Sequence, residues 1–187
     1  MRYPVAETAE KHDRIVQQAA RLFRERGFSG VSVGEIMKST GLTHGPFYNH
    51  FASKDALMAE SLASISQGAL TALAETPSDA KGREAYLATY LSKQHRDDRG
   101  AGCPIAALAP EIAREAGIRG VFTSHMRSTI ERLAAHFPWS SKKNARRDVI
   151  LAVSAMAGAL MIARAVDDEA LSIELLEETL AALSKRA

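Results

Sequence analysis

The sequence predicts an all-α protein, and two observations lead to this fold class. The chain of 187 residues is dominated by alanine and leucine and contains only 6 prolines, a composition that favours helices over strands. Apolar residues also recur at helical spacing along most of its length. The length suits one large domain or two small ones, with enough residues for a hydrophobic core.

The first predicted helix begins near Thr8 and ends at Gly27. Ile15, Ala19 and Phe23 stand four residues apart, so they share one face of a helix. A glycine just past the last turn is typical of a helix end. The N-terminal segment therefore begins with one amphipathic helix.

Two short helices are predicted next, joined by a glycine-containing turn. Ser32 opens the first, and Glu35 three residues later completes a capping box. This helix ends at Gly41, and Thr43 is predicted to cap the second. Two short helices joined in this way are the arrangement of a helix-turn-helix.

The rest of the chain is predicted to be helical as well. Ser53 is expected to cap a long helix that runs to about Leu73, and residues 75–82 are predicted to form a linker. Shorter helices follow, one of them opened by Cys103 and Pro104 and another running to about His136. Two last helices are predicted at about 141–166, capped by Ser140 or Ser141, and at about 169–185.

The most apolar run of the chain, residues 149–163, is predicted to be a buried core helix. It has 15 residues, fewer than the roughly 20 that a membrane span needs, so we expect no membrane partner. The N-terminus shows no apolar signal segment. The single cysteine is typical of a reducing compartment, and we expect a cytoplasmic protein.

The formal net charge of +2 gives only a weak basic bias. Any basic surface for nucleic acid must therefore arise from the fold rather than from composition. If the two short helices form a helix-turn-helix, the start of the second lies against base edges in the major groove of DNA. The residues at that start are Thr43, His44, Gly45 and Pro46.

Each of these residue types suits a contact with DNA. The hydroxyl of Thr43 and the ring of His44 can hydrogen-bond to a phosphate or a base edge, and Pro46 offers an apolar surface for a thymine methyl. Gly45 has no side chain, so the backbone can approach the duplex closely. The alternative is a surface helix with ordinary capping.

Phosphate contacts are expected from residues that flank this segment. The candidates are Tyr48, Asn49 and Lys54, together with Ser32 and Val33 at the start of the preceding helix. His50 is a further candidate, with an equal case for a structural histidine.

Residues 10–58 resemble the DNA-binding domain of the TetR family of bacterial transcriptional regulators. The resemblance is carried by Gly27-Phe28, Ser32-Val33-x-Glu35-Ile36, Gly41-Leu42-Thr43 and Phe47-Tyr48-x-His50-Phe51-x-Ser53-Lys54-x-x-Leu57. It implies a three-helix DNA-binding domain, here residues 1–52, and a helical ligand-binding and dimerisation domain, here residues 53–187. Pro46 departs from the family pattern, in which a small or polar residue is expected.

The resemblance implies a ligand-responsive regulator with a repressing role. Such a protein binds a palindromic operator as a homodimer and is released by a small-molecule inducer. The dimer interface is usually a bundle of the last two helices. Small residues on the first of these and leucines on the second fit that expectation, although both faces can instead be buried within one subunit. The candidates are Ala155, Gly158, Ala159, Leu176 and Leu180.

The C-terminal helices also supply candidates for an inducer pocket. These are Cys103, Phe122, Met126 and Met156, each of which can equally be a core residue. Cys103 at a predicted helix start is in addition a candidate thiol sensor, because a helix N-terminus favours the thiolate.

Two other classes of function compete with the regulator. A helical hydrolase would use Cys103 as a nucleophile with a histidine, but the sequence has no nucleophile elbow, glycine-rich phosphate loop or metal-ligand spacing. We therefore expect no enzyme activity, no cofactor and no metal. A helical interaction module that has lost DNA binding is supported only by the weak net charge.

Overall fold

The computed structural model describes residues 5–43, 45–114 and 116–185, and these residues form ten α-helices and no strands. The prediction of an all-α fold is confirmed. In chain order the helices are α1 (Val5–Arg26), α2 (Val33–Ser39), α3 (Phe47–His50), α4 (Lys54–Glu75), α5 (Ala80–Tyr90), α6 (Lys93–Asp97), α7 (Pro104–Ile112), α8 (Arg119–His136), α9 (Ala145–Ala165) and α10 (Glu169–Ser184), with a 3-10 turn at Ala116–Ile118.

Helix α1 is the centre of the N-terminal unit. Ile15, Ala19 and Phe23 are buried on one face of it, where they pack with apolar residues of α2, α3 and α4. Gly27 ends the helix with a positive φ of 77°, a conformation that glycine adopts without steric cost. The predicted end of this helix is confirmed.

Local hydrogen bonds fix both the start of α2 and the turn that follows it. The Ser32 hydroxyl accepts the Glu35 N–H at 3.2 Å, and the Glu35 carboxylate accepts the Ser32 N–H at 2.8 Å. The predicted capping box is therefore confirmed, and its hydrogen bonds lower the pKa of Glu35 to about 2. Gly41 has a φ of 75°, which lets the Leu42 N–H bond back to the Met37 carbonyl.

The prediction that Thr43 caps the third helix is wrong. Helix α3 begins at Phe47, and its N-cap is Pro46, which makes no side-chain hydrogen bond to the helix. Proline has a fixed φ suited to a helix start, whereas the preceding Gly45 is a poor helix former. The turn therefore extends through Gly45 and Pro46, and α3 is only four residues long.

Helix α4 connects the N-terminal unit to the remaining helices. Ser53 caps it by accepting the Ala56 N–H at 3.1 Å, so this predicted start is confirmed. The helix packs against α1 on one side and α8 on the other, while α8 packs on α9 and α9 on α10. The shorter helices α5 to α7 pack against α9, α10 and α1.

Two predicted boundaries in the C-terminal part are wrong. Asp79 caps α5 by accepting the Gly82 N–H at 2.7 Å, so the linker ends at Asp79 and Gly82 lies within a helix. Helix α9 is preceded by Asn144 as N-cap, because Ser141 instead accepts the Asn144 N–H within a turn and Ser140 donates to Asp148.

Helix α9 is buried on one face only. Its inner face carries Val149, Met156 and Leu160, which are at most 2% exposed, whereas Leu151 and Ile162 are 42% and 46% exposed. By length and composition it is the one helix of the described ranges apolar enough to cross a membrane, with 39% of its apolar window buried. The predicted core helix is therefore confirmed for its inner face, and a second apolar face remains at the surface.

Candidate DNA interface and ligand cavity

The segment from Thr43 to Asn49 forms an exposed surface around α3. Thr43, Gly45 and Asn49 are exposed, and 67% of Tyr48 is accessible, whereas Pro46 is partly buried. His44 lies outside the described residues. A Cβ at position 45 would meet no atom within 4 Å, so packing within the chain does not require glycine at this position.

The other candidate DNA contacts surround this surface. Ser32 is exposed and Val33 partly buried at the start of α2. Lys54 donates from Nζ to the Phe28 carbonyl at 2.6 Å, so its ammonium group holds the turn between α1 and α2. The partly buried His50 lies beside His12, with ring centroids 5.8 Å apart, and its pKa is lowered by burial and by the charges of His12 and Lys11.

A cavity of about 510 Å³ lies between α1, α4 and the C-terminal helices. Its size is within the range of small-molecule sites. The described residues that line it are Gln17, Ala20, Arg24, Ser64, Ile65, Gly68, Ala69, Ala72, Tyr86, Tyr90, His95, Ala101, Gly102, Cys103, Pro104, Ile105, His125, Thr129, Val153 and Met156. Helix α1, which belongs to the N-terminal unit, therefore forms part of the cavity wall.

The structure brings two of the four predicted pocket residues to this cavity. Cys103 and Met156 line it, whereas Phe122 packs against the core of the N-terminal unit and Met126 against a cluster of α8 and α9. On α8 the cavity is lined by His125 and Thr129, four residues apart. Phe122 and Met126 lie on neighbouring faces of that helix, which is why they are directed elsewhere.

Three polar residues of the cavity wall hold one another in place. The His95 ring donates from Nδ1 to the Tyr90 carbonyl at 2.6 Å, because a carbonyl oxygen can only accept. Its Nε2 then accepts the Cys103 N–H at 3.1 Å, so this histidine is neutral with both nitrogens used. Burial lowers the pKa of His95 and raises that of Tyr90, whose hydroxyl lies beside the Cys103 thiol.

Two further polar groups of the wall were not predicted from the sequence. Arg24 is partly buried, and its Nε makes no hydrogen bond to any described residue. His125 is only 7% exposed, and its Nε2 likewise has no partner within the described ranges. In the sequence, Arg24 stands four positions after Ala20, so the two residues share a face of α1. Helical periodicity alone places a charged residue of this kind at the surface.

Helix α7 connects the cavity to the helix-turn-helix. Its first residues, Pro104 and Ile105, line the cavity. Near its last turn the Glu111 carboxylate accepts the N–H groups of Phe28 and Ser29 at 2.9 and 3.2 Å. A helix of nine residues therefore touches both the cavity and the turn that orients α2.

The exposed face of α9 is an apolar stripe with small residues at its centre. Leu151, Ala155 and Ile162 are exposed, and Gly158 leaves open space where a side chain would stand. Of the other predicted interface residues, Leu180 is partly buried, while Ala159 and Leu176 are buried inside the chain. The exposed stripe also includes Ile150 and Met161, which were not among the predicted interface residues.

The buried histidines predict how stability depends on pH. Burial lowers the pKa of His95 and of His125, whereas an unfolded histidine titrates at about 6.5. Because the unfolded chain binds these protons more readily, their contribution is complete above about pH 6.5 and is lost as the pH falls toward the lowered values. We expect the melting temperature to decline as the pH falls from about 6.5 to 5, and to decline less in a His95→Gln, His125→Phe double variant. A wild-type melting temperature that is constant over this range contradicts the prediction.

No group of three histidine, cysteine, aspartate or glutamate side chains in the described part of the chain is placed to hold a metal ion. Near the turn between α9 and α10, charged side chains form ion pairs and hydrogen bonds with one another. There Arg96 donates to Glu169 at 2.9 Å and to Ser172 at 2.7 Å, and the hydrogen bonds from Arg96 and Lys93 lower the pKa of Glu169 to about 2. This cluster attaches α6 to α10.

The chain is similar in sequence to known regulators of transcription. Residues 15–60 match the model of bacterial regulatory proteins of the tetR family. An uncharacterized HTH-type transcriptional regulator, Rv0196 of Mycobacterium tuberculosis H37Rv, is 26% identical over 81% of this chain and 83% of its own. The HTH-type transcriptional repressor KstR2 of Mycolicibacterium smegmatis is 35% identical over 57 residues, which are 30% of this chain and 28% of that protein.

Solved structures share the complete fold. A TetR-family transcriptional regulator from Agrobacterium tumefaciens superimposes with a TM-score of 0.74 at 22% identity, over 93% of this chain and 97% of that one. The relatives are regulators of transcription rather than enzymes.

Proposed function

We propose that this chain, a TetR-family transcriptional regulator, represses its target as a homodimer on a palindromic operator and is released by a small molecule. The observation that carries the proposal is the exposed segment from Thr43 to Asn49 around α3, in a helix-turn-helix whose first helix begins with the Ser32 capping box. A repressing role is favoured by the similarity of 57 residues of this chain to a named repressor.

DNA binding is proposed to use both short helices. Thr43, Gly45 and Pro46 would face the major groove. Tyr48, Asn49, His50 and the N-terminus of α2 at Ser32 and Val33 would contact phosphates. Lys54 would act mainly through the Phe28 carbonyl that it holds.

A homodimer is proposed through the exposed stripe of α9. An operator with two half-sites requires two recognition helices about 34 Å apart, which one copy of the chain cannot supply. The stripe of Leu151, Ala155, Gly158 and Ile162 is apolar and exposed along one helix face, and exposed apolar surfaces of this kind mark protein interfaces. A second copy would bury it in a bundle of four helices.

The response to a ligand is proposed to pass through α1 and α7. Both helices line the cavity, and both hold the helix-turn-helix: α1 by its packing on α2, and α7 by the Glu111 bonds to the turn at Phe28 and Ser29. A ligand that binds one arrangement of these helices more tightly must shift the operator affinity by the same coupling. In this proposal residues 1–52 are the DNA-binding domain, and residues 53–187 are the ligand-binding and dimerisation domain.

The test is fluorescence anisotropy with DNA from the region flanking the gene, at two salt concentrations. Wild type is expected to bind tightly, in a salt-sensitive and sequence-selective manner. A Thr43→Ala, Tyr48→Ala double variant is expected to lose at least about tenfold in affinity, because it removes a base contact, which contributes about 1–3 kcal/mol, and a phosphate contact as well.

The matched control is Thr71→Ala, which removes an exposed threonine from the middle of α4 and should leave DNA binding unchanged. Because the operator can lie elsewhere, genomic fragments selected by the protein are tested in the same assay. Binding of wild type that never exceeds its binding to random DNA would overturn the proposal and favour an interaction module.

A further inference from the structure

We propose that the cavity binds a small aromatic carboxylate that carries a hydroxyl group at the end remote from its charge. This inference rests on the proposed function, because it names the class of ligand that the regulator would detect. It is carried by Arg24 and His125, which line the same cavity and which both have an unused hydrogen-bonding nitrogen.

Arg24 provides a positive charge without a counterion at contact distance. Within the described ranges it forms no salt bridge, and its buried Nε–H has no acceptor. Burial lowers its pKa, and the charges of Asp98, Cys103 and Glu25 only partly oppose this effect. Among the described residues that line the cavity there is no aspartate or glutamate. A carboxylate is the group that a guanidinium binds best through two parallel hydrogen bonds.

His125 provides a hydrogen-bond acceptor, whereas Arg24 provides hydrogen-bond donors. The Ser66 hydroxyl donates to the Leu62 carbonyl at 2.8 Å, and a carbonyl oxygen can only accept. The hydroxyl hydrogen is therefore committed, so the His125 Nδ1–H donates to the Ser66 oxygen at 2.6 Å. In the neutral ring this leaves Nε2 as an acceptor, and burial favours the neutral ring by lowering its pKa. A ligand must then present a hydroxyl or N–H donor to satisfy it.

The two groups come from different helices of the cavity wall, and we therefore assign them to the two ends of one ligand. Arg24 comes from α1 and His125 from α8, and these helices both pack against α4. The wall also includes Tyr86, Tyr90 and Met156, together with small residues of α4. Rings and a thioether favour contact with a flat aromatic body. The cavity of about 510 Å³ has room for roughly 17 water-sized groups, at about 30 Å³ each.

The experiment compares three probes by titration calorimetry on the wild-type protein without DNA. The probes are 4-hydroxycinnamate, its methyl ester, which lacks the charge, and cinnamate, which lacks the hydroxyl. We expect the hydroxy acid to bind at least about tenfold more tightly than either analogue, because the ester loses the charge-assisted bond to Arg24 and cinnamate leaves the buried Nε2 of His125 without a donor. Equal or tighter binding of the ester, or no binding of any probe at about 1 mM, would overturn the inference.

Variants then assign each preference to a residue. Arg24→Met is expected to abolish the preference for the acid over the ester, and His125→Phe the preference for the hydroxyl. The matched control Arg21→Met removes an exposed arginine of the same helix, outside the cavity, and should keep both preferences. A preference for the acid that survives in Arg24→Met would overturn the assignment of the anion site, provided that the variant melts as wild type does.

The proposed regulator and the proposed ligand class can be rejected independently of each other. Operator binding without binding of any probe would reject the ligand class and leave the regulator intact. Selective binding of the hydroxy acid by a protein that binds no DNA would reject the regulator and leave the cavity assignment intact.

Discussion

Replacement of Ile162 with glutamate is expected to convert the proposed dimer into a monomer and to weaken operator binding at least about 100-fold. Ile162 is 46% exposed on the apolar stripe of α9, where a second copy would bury it. An unpaired charge in such an interface costs at least about 3 kcal/mol, which corresponds to more than a hundredfold in affinity. Loss of the dimer then removes one of the two recognition helices from the operator.

Sedimentation at several protein concentrations measures the first effect, and anisotropy with operator DNA measures the second. The matched control is Thr123→Glu, which places the same charge on an exposed position of α8, and we expect it to remain dimeric. A dimer of Ile162→Glu as stable as wild type would show that the exposed stripe of α9 is not the interface.

Substitution of Gly27 by alanine is expected to destabilise the protein by about 2–6 kcal/mol, because two separate costs add. The φ of Gly27 is 77°, which strains any residue with a side chain by about 1–3 kcal/mol. A Cβ at this position would also stand 1.9 Å from Oε1 of Glu111. The Glu111 side chain can move away, but the N–H groups of Phe28 and Ser29 then lose their acceptor, at about 1–3 kcal/mol.

Urea denaturation at a fixed protein concentration separates the two costs. In a Glu111→Ala background the same substitution should cost only the backbone strain. Gly41→Ala is the control within the chain, because Gly41 has a φ of 75° and a Cβ there would meet no atom within 4 Å. If Gly27→Ala costs no more than Gly41→Ala, the contact between α7 and the turn contributes nothing to stability.

This contact also bears on the ligand response. Glu111 lies one residue before the end of α7, and the first residues of the same helix line the cavity. If the ligand response passes through the contact between Glu111 and the turn, Glu111→Ala should reduce the effect of a bound ligand on operator affinity. In allosteric proteins such effects are roughly 5- to 150-fold. Glu111→Gln keeps an acceptor oxygen and should preserve most of the effect.

Local features of the helix-turn-helix were predictable from the sequence because their causes are local. The capping box of Ser32 and Glu35 joins residues three apart, and the glycine at position 27 satisfies a conformation of its own backbone. The cap at Ser53 is of the same kind. Where the prediction failed, as for Thr43, two local preferences competed, and the proline and glycine that follow moved the helix start to Phe47.

The sequence by itself determined the helical class, the motif for DNA binding and most helix ends, because spacing and capping act over a few residues. Only the tertiary structure decided which residues meet across long separations. Glu111 bonds to an N–H group 83 positions earlier, and Arg24 and His125 share a cavity although they belong to different helices. Periodicity indicates that residues share a helix face, but the partner of that face depends on how all the helices pack. For the same reason, α9 was predicted to be apolar, but the tertiary structure decided that part of that surface stays exposed.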